Sequence, residues 1–202
     1  MLPFEDKHSG FPEEKGSCLK CNKRTIVTIK FNNIKKNTIK MPKVKIAPSI
    51  LSADLSKINQ EIKEVEKYAD LIHIDIMDGI FVPPTTVDSG FVKNIKTKVP
   101  LDVHLMVHEP SDSYIKGFID AGANYITIHE EACKNPSKQI NFIKKNDIRA
   151  SISIKPKTQL DKIKKYLDMV DMVLVMTVEP GWAGQKFIQS TMPKVRELRK
   201  LK

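Results

Sequence analysis

The sequence is short of cysteine, of aromatic residues and of long apolar runs, and each shortage closes off a class of protein. Three cysteines in 202 residues (Cys18, Cys21 and Cys133) are too few and too unevenly spaced for a disulfide framework, so a reducing, cytoplasmic setting is expected. No run approaches the roughly eighteen consecutive apolar residues of a membrane-spanning helix. The first residues lack the apolar stretch of a signal peptide, and Glu5, Asp6, Glu13 and Glu14 argue against an acid-poor transit peptide. Aromatic residues make up only 6% of the chain, while Ile, Val, Leu and Met are plentiful, a balance suited to buried strands alternating with helices. With 41% hydrophobic residues the chain can bury a sizeable core, and its length favours one domain.

A net charge of +10 raises the question of nucleic acid, and the answer depends on where the charge lies. Residues 1–42 carry nine Lys or Arg against four acids, and residues 194–202 carry five against one. The stretch between them is close to neutral, with twenty against nineteen. A basic binding domain spreads its charge over a face of the fold, so nucleic-acid binding is disfavoured and would involve only the N-terminal segment.

Residues 1–42 also differ in texture. They are polar, rich in Lys and Asn and without sustained periodicity, and are expected to form a poorly ordered appended segment, with one short strand possible at 25–31. Cys18 and Cys21 make a C-x-x-C pair whose further ligands are missing apart from His8, so two surface thiols are the simpler reading. Residues 43–202 form the second unit. Apolar runs at 44–49, 71–77, 101–107, 125–129, 148–154 and 172–177 alternate with stretches of helical character at 54–68, 91–95, 111–121, 137–145, 160–167 and 185–201. Six successive βα units with strands apolar through most of their length imply a parallel sheet, either doubly wound or closed into a barrel.

Polar residues gather toward the C-terminal ends of these runs. LIHIDIMDG holds His73 and Asp75, LDVHLMV holds Asp102 and His104, and His129 ends the run in YITIHE. Residues i and i+2 of a strand point to one face, so His73 and Asp75 share a face and His104 can sit beside them. Two imidazoles and a carboxylate there suit a divalent cation; hydrogen-bonded structural residues are the competing reading. Directly after the sixth run, EPGWAGQ at 179–185 places Gly181 and Gly184 ahead of a helix, where backbone N–H groups can approach an anion. An ordinary tight turn would also favour glycine there.

Four strings carry a resemblance. IAPSILSADLSKI at 46–58, HIDIMDGIFVP at 73–83, LDVHLMV at 101–107 and VLVMTVEPGWAGQKFI at 173–188 closely resemble the ribulose-phosphate 3-epimerase family, in its order and spacing, from about residue 44 onward. The resemblance implies a (β/α)8 TIM barrel of the ribulose-phosphate-binding type. It implies one divalent metal ion (Zn, Fe, Mn or Co) held by His73, Asp75 and His104 together with a second aspartate further on. Asp75 would also be a proton acceptor, Ser49 and His104 would contact substrate, and Met77, Met106 and Met176 would line the reacting carbon. The stretch Gly181, Trp182, Ala183 and Gly184 would hold the substrate phosphate. The implied reaction interconverts D-ribulose 5-phosphate and D-xylulose 5-phosphate through an enediolate, in the pentose phosphate pathway. The implied partner is a small sugar phosphate, with a homo-oligomer possible.

The chain departs from the family pattern in places. It ends at Lys202 inside the sixth helix, so an incomplete barrel of six βα units is expected, its first and sixth strands with open edges. The second aspartate, expected on a seventh strand, has no counterpart, and weak or absent turnover by this chain alone follows. FVPPTTVDSG differs from the usual stretch after the second strand, which leaves an epimerase of a six-carbon ketose phosphate such as allulose 6-phosphate as an alternative. A non-catalytic, basic-tailed binding protein is another. Ala183 stands where glycine is usual and is compatible with the loop only if its φ is negative.

Overall fold

The computed structural model describes residues 44–201, together with the backbone of residues 28–30. Of the features expected in 1–42, only part of the 25–31 strand falls within the described residues; Cys18, Cys21 and the rest lie outside them. Strand β1 is Thr28–Lys30, followed by β2 (Ile72–Met77), β3 (Leu101–Met106), β4 (Tyr125–His129), β5 (Arg149–Ile154) and β6 (Met172–Val175). Strands β2 to β6 are parallel and lie side by side in chain order. A doubly wound sheet reverses its strand order at a switch point, whereas a barrel winds in one direction. The unbroken order of β2 to β6 is that of a partial (β/α)8 barrel, and resolves the alternative that periodicity left open.

The two faces of the sheet bury different chemistry. Ile72, Ile74, Ile76, Val103, Leu105, Ile126, Ile128, Ile152, Ile154, Val173 and Val175 belong to one apolar core. Helices α1 (Ile58–Val65), α2 (Ser89–Lys93), α3 (Asp112–Asp120), α4 (Pro136–Lys145), α5 (Asp161–Lys164) and α6 (Met192–Leu201) close over it. They contribute Ile58, Ile62, Val92, Ile115, Phe118, Ile140, Ile143, Ile163, Val195 and Leu198. The alternate positions face the other way. Among them are His73, Asp75, Asp102, His104, Thr127, His129, Ser151 and Ser153, all of them buried. Burying so many polar groups on one face is costly unless they bond to one another.

Helix starts follow local capping. Asp88 accepts from the Phe91 amide at the head of α2, and Ser111 from the Tyr114 amide at the head of α3. Helix α5 is shorter than the 160–167 expected, spanning one turn. Helix α6 begins at Met192 rather than at 185. The Ile188 amide donates to the Thr177 carbonyl, which keeps 185–188 out of the helix, and Pro193 sits in the first turn, where a missing N–H costs nothing. The Gly181–Gly184 stretch therefore does not lead straight into a helix N-terminus.

Both edges differ from expectation. The first apolar run pairs with β2 only through a single parallel bridge, Ser49 to His73, flanked by bonds from the Ile50 amide to the His73 carbonyl and from the His73 amide to the Pro48 carbonyl. Pro48 has no N–H to extend the ladder, so no regular strand forms. At the other edge β6 is not open. Strand β1 pairs with it antiparallel, Thr28 opposite Leu174, Ile29 opposite Val173 and Lys30 opposite Met172. Covering an edge in this way satisfies backbone groups that would otherwise template association. Deleting residues 1–42 is expected to accelerate amide hydrogen exchange in 172–175 while leaving 126–128, in the central strand, unchanged. Unaltered protection in 172–175 would contradict the pairing.

Candidate metal centre and active site

The site is built by register. Strands β2 and β3 align His73 with Asp102, Asp75 with His104, and Met77 with Met106. Three successive pairs on one face thus run from charged to apolar toward the strand ends. Asp75 is 4% exposed, and three groups converge on its carboxylate. Ser49 Oγ donates to Asp75 Oδ2 at 2.6 Å. His104 Nδ1 lies 3.1 Å and His73 Nε2 3.4 Å from Asp75 Oδ1. One ligand atom from each of His73, Asp75 and His104 can be chosen so that all lie within 4.8 Å of one another. Two imidazoles and a carboxylate in a buried cluster fit a divalent transition metal, and fit Mg²⁺ or Ca²⁺ poorly because those prefer all-oxygen shells.

The far nitrogens of both imidazoles are also engaged. His73 Nδ1 lies 2.8 Å from Asp102 Oδ2. His104 Nε2 lies 2.9 Å from His129 Nε2, and His129 Nδ1 lies 3.1 Å from Glu131 Oε2. Glu131 is anchored in turn, its Oε1 accepting from the Lys155 amide at 2.7 Å and from the Thr158 hydroxyl. Phe81 packs on His129 with ring centroids 4.9 Å apart, and Lys155 Nζ sits 4.0 Å from the centre of the Phe81 ring.

Protonation follows from these neighbours. Burial opposes a charge on His73, but the Asp75 and Asp102 carboxylates overcome it and raise its pKa to about 10. Burial would likewise raise Asp75, yet His73 and then His104 hold its carboxyl well below the usual range. For His104 burial wins, and its pKa is lowered despite Asp75. His129 falls to about 4 through burial, only partly offset by Glu131. Glu131 comes down to about 2 although burial works against it, because His129, Thr158 and the Lys155 amide all donate to the carboxylate.

The remaining expected residues fall in three places. Met77 and Met106 cluster with Val82, against Leu51 and Phe81. Met176 is buried just past β6, its amide donating to the Ile154 carbonyl, and does not belong to that cluster. In the 181–184 loop Gly181 is buried, while Trp182, Ala183 and Gly184 are exposed. Positive φ falls on Gly181 (117°) and Gly184 (73°) and not on Ala183, so alanine is compatible with the loop. A Cβ on Gly181 would lie 3.5 Å from Val82 and 3.6 Å from Pro84, which brings this loop against the one after β2. In that second loop Thr86 Oγ1 donates to the Asp75 carbonyl and accepts from the Met77 amide, tying the unusual PTTVDSG stretch to the end of β2.

A sequence model of the ribulose-phosphate 3 epimerase family matches residues 45–202. The chain belongs to that family. It is 47% identical over 161 residues to "Ribulose-phosphate 3-epimerase" of Bacillus subtilis, covering 78% of this chain and 74% of the relative. The protein of the same name from Buchnera aphidicola is 41% identical, with 80% and 72% covered. "Ribulose-5-phosphate-3-epimerase, chloroplastic" of Arabidopsis thaliana is 41% identical, with 77% and 57% covered. Relatives bearing these names are isomerases, and the site described above lies inside the matched region of this epimerase-family chain. Among the described residues no helix is long and apolar enough to cross a membrane.

The residues singled out from the sequence, His73, Asp75 and His104, and Ser49 from the resemblance, lie together here, while His129 and Glu131 were assigned no role. The signal was present. IHEE repeats the spacing of IHID, a histidine followed two residues later by an acid.

The depressed Glu131 carboxyl carries a pH dependence with a definite sign. A carboxyl whose pKa is depressed in the folded state contributes stability that is fully present above its unfolded pKa and lost as pH falls toward the folded one. The difference in urea midpoint between the wild type and Glu131→Gln should therefore be constant above about 4.5 and shrink as pH falls toward about 2. A difference independent of pH across that range would contradict the anchoring of Glu131 as a carboxylate.

Proposed function

We propose that this protein carries the proton-abstracting half of a D-ribulose 5-phosphate 3-epimerase site, with one divalent transition metal held by His73, Asp75 and His104. The observation that carries the reading is the convergence of those three buried side chains within 4.8 Å, beside a serine and two methionines, in a chain of the epimerase family. When bound, the cation supplies positive charge for the ketone and hydroxyl oxygens of the substrate, which acidifies the carbon between them.

The chain's own residues do the rest. Asp75 takes the proton from the C3 carbon on one face of the substrate. Its carboxyl is held well below the usual range, so it stays ionised at neutral pH and is a weak base on its own. Ser49, bonded to Oδ2 at 2.6 Å, fixes the plane of that carboxylate. Met77 and Met106 form an apolar wall, with Met176 buried separately past β6, that excludes water and offers no competing proton. Backbone N–H groups of the 181–184 loop receive the phosphate, with Gly181 allowing the close approach.

Proton removal can be read without inversion. In D₂O, with Co²⁺ or Mn²⁺ present, the C3 hydrogen of D-ribulose 5-phosphate should wash out at a rate set by Asp75, measured by proton NMR. Asp75→Asn should slow the exchange by about 10²–10⁴-fold. Exchange that proceeds equally fast in Asp75→Asn, or none in the wild type with metal and substrate bound, would overturn the assignment.

A further inference from the structure

The chain of contacts running away from the metal centre has a direction, and hydrogen-bond counting reveals it. Between the Asp75 and Glu131 carboxylates stand two imidazoles and three close contacts. Asp75 Oδ1 faces His104 Nδ1 at 3.1 Å, His104 Nε2 faces His129 Nε2 at 2.9 Å, and His129 Nδ1 faces Glu131 Oε2 at 3.1 Å. Each contact needs one positive hydrogen, or a cation, between two lone pairs. Two neutral imidazoles carry one N–H each, so they fill two of the three contacts.

Both ends of the chain are carboxylates; Glu131 fixes one end, and the proposed cation, taking the place of a hydrogen, fixes the other. Glu131 Oε1 is already committed to the Lys155 amide and the Thr158 hydroxyl, which marks Glu131 as an anion that can only accept. The His129 hydrogen must then sit on Nδ1, leaving Nε2 of His129 as an acceptor. That acceptor takes the Nε2–H of His104. With the cation bound, the Nδ1 lone pair of His104 is the one left for it, and the contact beside Asp75 Oδ1 holds the cation in place of a hydrogen. On the other side Asp102 accepts from His73 Nδ1 at 2.8 Å, so Nε2 is the His73 nitrogen that faces Asp75.

We infer that Glu131, acting through His129, is a positioning residue that fixes the tautomer of His104 and so presents Nδ1 to the cation. This rests on the metal reading above. It assigns the epimerase site a second carboxylate of support, one imidazole removed from the ligand it orients. His104 and His129 are both 0% exposed, so no water competes for these contacts. Outer carboxylates that hold a ligating imidazole in one tautomer typically change metal affinity by about 10–100-fold when removed.

Glu131→Gln gives an unusually sharp test, because it inverts the chain without breaking it. The amide oxygen can still accept from Lys155 and Thr158, while the amide nitrogen now donates to His129 Nδ1. His129 must then donate from Nε2, His104 must accept there, and the His104 hydrogen moves to Nδ1, the position the cation needs. His129→Gln should do the opposite and preserve the direction, its oxygen accepting from His104 and its nitrogen donating to Glu131.

Co²⁺ titration followed by visible absorption should show affinity about 10–100-fold weaker in Glu131→Gln and close to wild type in His129→Gln. Long-range ¹⁵N–¹H NMR of the metal-free proteins should place the His129 hydrogen on Nδ1 in the wild type and on Nε2 in Glu131→Gln. Equal Co²⁺ affinity of Glu131→Gln and wild type, or the same His129 tautomer in both, would overturn the relay. Failure of the wild type to bind Co²⁺ would instead count against the metal centre itself, and the tautomers of the metal-free proteins would still decide the relay. Should Glu131→Gln not fold, the wild-type tautomer and the His129→Gln titration carry the decision: His129 protonated on Nε2, or a loss of about 10–100-fold in His129→Gln, would overturn it.

Discussion

Burying the Asp75 carboxylate is the constraint around which the rest of this sheet is arranged. An isolated carboxylate in an apolar interior would be protonated rather than charged. Here it stays ionised because Ser49 donates to one oxygen and two imidazoles face the other. Those imidazoles would lose their own hydration in turn, and they keep their polar contacts by reaching Asp102 and His129. His129 passes the demand on to Glu131, which meets backbone and hydroxyl donors near the surface. These groups therefore form one connected network, bounded by carboxylates, and not a set of separate pairs.

The fold supplies the register that makes the network possible. Parallel strands in chain order place Asp75 opposite His104 and His104 opposite Thr127, while His129 sits one pleat further along β4. A slip by one residue would turn every one of these groups into the apolar layer beneath the helices. The isoleucine-rich opposite face guards against that slip, since Ile72, Ile74, Ile76, Ile126 and Ile128 would have to leave the core with it. Specificity of register and integrity of the site are thus the same physical property.

Much of this was legible in the sequence. Five of the six apolar runs form the expected strands, and the i, i+2 spacing of His73 and Asp75 is enough to put both on one face of a strand. Periodicity alone left the winding of the sheet open, because it measures burial and not neighbour order; the family resemblance implied a barrel, and the strand order agrees with it. The role of 185–188 was missed for a related reason. Its residues suit a helix locally, but the Ile188 amide finds the Thr177 carbonyl, a contact that sequence spacing does not encode. His129 and Glu131 carried a readable spacing, yet their use depends on the orientation of His104, which is set across two strands. A short strand at 25–31 was expected, but its pairing with β6 was not, since the spacing within a strand does not encode its partner.

The most direct test of the metal centre and its orientation is a crystal structure of the protein grown with Co²⁺, with diffraction collected at the cobalt absorption edge. One anomalous peak is predicted, coordinated by His73 Nε2, Asp75 and His104 Nδ1, with the His104 Nε2 to His129 Nε2 contact intact. Anomalous density elsewhere, or a His104 ring turned so that Nε2 binds the cation and the contact to His129 is broken, would contradict it.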